Sequence, residues 1–125
     1  MPKVSRESAA HVEDHGPVED RHEDVDGYTV NFLTFHHDID ATPLLKGLPD
    51  DRCQCPHHGY VLRGELVFRY ADGSQDRITA GQAYTAPPGH LPVFTAGTEI
   101  VEFSPAAEMA ETMRVVLANL AEAGA

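Results

Sequence analysis

The densest chemistry in the chain lies between Asp50 and Glu65, DDRCQCPHHGYVLRGE, which holds both cysteines, two of the eight histidines and two adjacent aspartates. Cys53, Cys55 and His57 fall at every second position, so on an extended backbone their side chains share one face. Two thiols and an imidazole on one face are ligands for zinc, iron or nickel. Asp51 has the same parity and is a further oxygen ligand or general base in this reading. His58 has the opposite parity and belongs outside.

Other roles for the two thiols compete with ligation. A bridge between Cys53 and Cys55 would span one intervening residue and be strained. As free thiols they could also be small packing residues, a common fate of buried cysteine. A redox-sensing pair is the third reading.

The elements that must position these residues come from a chain of 125 residues, enough for one domain with an ordinary core and no second domain. Hydrophobic residues make up 42 % of it, and no run approaches the length of a membrane span. The opening MPKVSRESAAHVED lacks the apolar centre of a signal peptide, so a cytoplasmic address is the expectation. Nine basic against twenty acidic side chains leave a net charge of -11, which argues against nucleic acid and anionic membranes as partners.

Residues 1–27 carry eight acidic and three basic side chains around Gly16 and Pro17, and read as a loose acidic arm with at most one short strand or helical turn. His11, His15 and His22 are there either solvated or, at helical spacing, metal-binding. Tyr28 to His37 alternates Tyr28, Val30 and Phe32 with Thr29 and Asn31, the pattern of a strand, with His36 and His37 at its end. Pro43, Gly47 and Pro49 then punctuate a connection whose Leu44, Leu45 and Leu48 plug one end of the core.

From Gly59 the turn signals become regular: Arg63-Gly64, Ala71-Asp72-Gly73-Ser74, Ala80-Gly81, Pro87-Pro88-Gly89 and Ala96-Gly97. Short strands between such turns indicate an all-β sandwich or small barrel. After Phe103 the period changes. Ser104-Pro105 predicts a helix start, with Ser104 as cap, and Met109, Met113, Val116, Leu117 and Leu120 recur at helical spacing before an Ala-Gly-Ala tail that should fray.

These residues resemble the cupin family, whose small barrels are built from two short motifs. Gly59 through Glu65 looks like the end of the first motif, and Gly81 through Pro87-Pro88-Gly89 like the start of the second. The likeness spans residues 28–103 and implies an all-β, single-domain cupin-like barrel, a jelly roll, between the acidic arm (1–27) and a C-terminal α-helix (104–125). The ligand positions depart from the family's three histidines and glutamate. His57 stands where the glutamate would be, Cys53 and Asp51 where two histidines would be, and Pro92 where the last would be, leaving His90 as the nearby substitute.

The resulting set is Cys53, Cys55, His57 and His90 around a divalent ion, zinc ahead of iron or nickel. All four would close the site, whereas three would leave a position open to substrate or water. The resemblance implies a homodimer that binds a small organic molecule in the barrel, with isomerisation, lysis or dioxygenation as the conversions such a site supports. The alternative is a non-catalytic binding or sensing module with a structural metal or none. Tyr60 and Tyr84 either line the cavity or pack in the wall, and Phe32, Phe68 and Phe94 are further residues whose convergence would shape it.

Overall fold

The computed structural model describes residues 3–123, and the fraying expected of Gly124 and Ala125 lies outside them. Among the described residues, ten strands and one α-helix follow one another: β1 (His11–Asp14), β2 (Val18–Val25), β3 (Tyr28–Phe35), β4 (Ile39–Asp40), β5 (His57–Arg63), β6 (Glu65–Arg69), β7 (Gln75–Thr79), β8 (Ala83–Ala86), β9 (Leu91–Phe94), β10 (Glu99–Pro105) and α1 (Ala106–Ala123), with short 3-10 turns at Thr42–Leu44 and Pro49–Asp51. They form two antiparallel sheets, β1-β2-β3-β10-β5-β8 and β4-β9-β6-β7, folded face to face as a jelly roll.

The chain crosses between the sheets where the turn residues predict. Gly64 joins β5 of the large sheet to β6 of the small one at φ +81°, and a Cβ there would press on the Cα of buried Thr98. Only glycine meets both demands at that corner. Gly73 sits at φ +87° in the β6–β7 hairpin, as the Asp-Gly pair implies. Between the sheets lie Val61, Leu66, Phe68 and Ile100, all 2 % exposed or less, and Phe35 stacks on Phe94 across the gap with centroids 3.8 Å apart. Each fully buried side chain of this size contributes roughly 1.5–3 kcal/mol, so this cluster holds the two layers together.

The loose arm is a correction. Residues 11–25 are strands β1 and β2, paired along the outer edge of β3 from Val18↔Phe35 to Val25↔Tyr28. The turn that permits this is Asp26-Gly27, both at positive φ (52° and 84°), as a two-residue hairpin turn requires. Acidic composition concealed it, because the strands alternate charge with charge.

The helix start is also corrected. Ser104 and Pro105 belong to β10, α1 begins at Ala106, and Ser104 is fully buried with its hydroxyl engaged by His57. The apolar side of α1 closes one end of the jelly roll, where Met109 packs with Ala41, Leu45, Leu48, Cys53, Cys55 and Leu91. Among the described residues, no helix is long and apolar enough to cross a membrane.

Candidate metal centre

Under that helical cap, Cys53, His57 and His90 come together, all buried, with one ligand atom from each within 4.8 Å of the others. They are not on one strand. His57 opens β5, whereas Cys53 lies outside the strands in an isolated antiparallel bridge with His90. Cys53 N–H donates to His90 O at 3.0 Å and Gly89 N–H to Cys53 O at 2.8 Å, so the turn glycine fixes the two residues against each other.

The expected same-face row Cys53, Cys55, His57 is broken by a bend at Cys55-Pro56. Cys55 is almost fully buried, its thiol meets Pro56 O at 3.6 Å, and it packs in the apolar cluster beneath α1. It therefore stands outside the three-residue cluster. Both cysteines are free thiols. Asp51 is exposed, with Oδ1 accepting from Gly47 N–H, and His58 is exposed beside Thr85. His36 and His37 are exposed beyond β3. His11 and His22 stack as a cross-strand pair with centroids 5.0 Å apart, not along a helix.

Hydrogen bonds orient both imidazoles. Nδ1 of His90 lies 2.7 Å from Pro87 O, and a carbonyl only accepts, so Nδ1 carries the proton and Nε2 keeps its lone pair. Nδ1 of His57 lies 2.7 Å from Ser104 Oγ, which turns Nε2 toward Cys53 Sγ at 3.5 Å. A tetrahedral ion with bonds of about 2.3 Å to sulfur and about 2.0 Å to nitrogen needs ligand atoms about 3.5 Å apart. Phe68 meets the His90 ring edge-on at 5.1 Å and excludes water from that side.

Burial sets the protonation states. It pulls the His90 imidazole down to about 4, so the ring is neutral and able to ligate at neutral pH. It pushes the Cys53 thiol up to about 12, so a nearby cation is what would make it a thiolate. Two imidazoles and one thiol thus fit a divalent ion of zinc's type, and three protein donors leave a coordination position free.

The three donors face a cavity of about 140 Å³ lined mostly by apolar side chains, among them Phe68, Phe94, Met109 and Met113. Phe32 is not among its lining residues, and Tyr60 is exposed. Glu102 is a polar lining residue that sequence reasoning missed. It is 6 % exposed, on the inward parity of β10 with Ile100 and Ser104, and accepts a 2.6 Å bond from Tyr84 Oη. Burial first, then the Glu102 charge, raise the Tyr84 phenol, so it stays protonated and donates.

No family model and no curated protein matches the chain by sequence. Solved structures do match by fold. An RmlC-like cupin from Shewanella frigidimarina is 20 % identical, with a TM-score of 0.52 over 76 % of this chain and 83 % of that one. The polyketide cyclase RemF from Streptomyces resistomycificus is 15 % identical, with a TM-score of 0.56 over 84 % and 79 %. A protein of unknown function from Rhizobium leguminosarum bv. viciae is 16 % identical, with a TM-score of 0.59 over 83 % and 95 %. At such identities the likeness speaks for the fold alone.

Proposed function

On the footing that the chain is a cupin-like protein by fold, we propose that it holds a divalent metal, zinc ahead of iron or nickel, on Cys53, His57 and His90, and binds a small organic molecule beside it. The observation that carries this is the buried three-donor cluster with both Nδ1 atoms engaged elsewhere, set in the wall of an apolar cavity. When bound, such an ion polarises a carbonyl or lowers the pKa of water. Cys53 fixes charge at the site, Ser104 and the Pro87 carbonyl hold the rings, and the apolar lining keeps water out. Cys55 has no part in this set; it packs.

Conversion of the bound molecule, by isomerisation, lysis or oxidation, is the second half of the proposal. The Tyr84–Glu102 pair favours it over a purely binding or sensing role, because it fixes a carboxylate on the same inner face as His57. Glu102 would take or return a proton. Chelator-treated protein should lose ligand affinity and any turnover; Glu102→Gln should lose turnover and keep the metal. Unchanged affinity without metal would overturn the binding half, and unchanged turnover in Glu102→Gln the catalytic half.

A homodimer and a cytoplasmic setting belong to the same proposal. Tyr28, Tyr60, Leu62 and Phe103, all at least 41 % exposed on β3, β5 and β10, support the first, and the two free thiols the second. Sedimentation at micromolar concentration tests the dimer: one species of twice the chain mass is expected, and a monomer would contradict it.

A further inference from the structure

The inner face of the large sheet carries a polar row that the metal centre does not use. Strand register sets His11, His22, Asn31, Glu102, Gly59 and Tyr84 side by side across β1, β2, β3, β10, β5 and β8. Asp20 stands next to His22 on the same face, 3 % exposed. Asn31 is 1 % exposed; its Nδ2 donates to Asp20 Oδ1 at 3.0 Å, while its Oδ1 has no partner. Buried polar atoms are nearly always paired, so an amide oxygen left free beside a cavity points to a ligand that supplies the donor.

The chemistry of that donor follows from what surrounds it. Asn31, Asp20 and Glu102 all line the cavity, and all three present oxygen acceptors at this wall. With Asp20 taking the Asn31 amide nitrogen, the amide oxygen is the end left for a ligand. His15 also lines the cavity, with Nε2 3.2 Å from Glu13 Oε2 but in no hydrogen bond, so it is a second unpaired polar atom at this wall. An anionic group placed at Asn31 would meet the Asp20 and Glu102 side chains in a chain of net charge -11. The rest of the wall is apolar, and a volume of about 140 Å³ is close to that of a roughly 150 Å³ cavity known to take a benzene ring.

We propose that the cavity takes a single-ring molecule whose uncharged hydroxyl or amino group donates to Asn31 Oδ1. This rests on the reading of the barrel as a small-molecule site and specifies its ligand class. Asn31 sits two strands from β5, about 10 Å at the usual strand spacing, so a ring can approach the metal ligands while its polar substituent reaches Asn31.

The test uses the zinc-loaded full chain with three probes: phenol, toluene and benzoate. Calorimetry should show phenol binding about fivefold tighter than toluene, the worth of one hydrogen bond, while benzoate, whose carboxylate the zinc can hold, should leave the Asn31 side-chain amide signal unmoved. In Asn31→Leu the advantage of phenol should vanish while toluene still binds and the thermal melt stays cooperative. Should that variant not fold, the ¹⁵N side-chain amide signal of Asn31 in the wild type decides, since it should shift with phenol and not with toluene. Benzoate moving the Asn31 amide as phenol does, no probe binding, a preference surviving in Asn31→Leu, or an Asn31 amide unmoved by phenol would each overturn the proposal. Measuring the metal content of the same wild-type protein separates the two claims. Phenol preference in a wild type that holds no metal overturns the metal reading alone; metal retained by the wild type without phenol preference overturns this one alone.

Discussion

Tyr84 lies directly over Gly59, and its hydroxyl reaches across that strand to donate to Glu102 at 2.6 Å. Gly59 separates the two in the register, and a Cβ on it would overlap the Tyr84 ring. Glycine here makes room for a side chain that would otherwise be displaced from the carboxylate. Gly59→Ala should therefore destabilise the protein by about 1–3 kcal/mol, the usual cost of overpacking. Urea melts will check this, and Gly59→Ala combined with Tyr84→Leu should recover part of the loss. An unchanged melt in the single variant would contradict the close approach.

Asp20 yields a pH-dependent stability. Desolvation raises its folded pKa, outweighing the Asn31 hydrogen bond and the nearby His22, while the Glu13 charge raises it further. A raised folded pKa contributes stability that is full below the unfolded value and lost as pH rises through the folded one. At neutral pH the wild type therefore carries a buried carboxylate that Asp20→Asn removes. The variant should melt higher at pH 7, with the difference narrowing as the pH falls toward 4. A difference independent of pH would rule this origin out.

Ser104 touches no metal position yet orients His57. Partners of this kind typically contribute 10–100-fold to metal affinity. Competition titration against a chelator should show Ser104→Ala weakened by about that factor, with the metal-free melt moved far less. Equal affinity in both proteins would show that the Ser104 hydroxyl does not position the ring.

Why some of this was legible in the sequence and some not has physical causes. From Tyr28 to Phe103, Gly64, Gly73 and Gly89 mark turns whose φ values demand glycine, so the barrel followed from punctuation. Asp26-Gly27 is an equal signal, overlooked because β1 and β2 pair through backbone and acidic side chains and lack apolar alternation. The donor types that cluster at Cys53, His57 and His90 were legible. Cys55 was grouped with them because alternation assumes an unbroken strand, which the bend at Cys55-Pro56 denies. Glu102 was hidden by parity. Val101 and Phe103 are the apolar residues beside it, and only the pairing of β10 with β3 and β5 turns Ile100, Glu102 and Ser104 inward.

Elemental analysis of freshly purified protein, run beside single alanine variants of Cys53, Cys55, His57 and His90, tests the metal centre most directly. The wild type and Cys55→Ala should each carry about one divalent ion per chain, and the other three variants close to none. Metal lost equally on Cys55→Ala, or retained when Cys53, His57 or His90 is removed, would contradict a site built on those three donors.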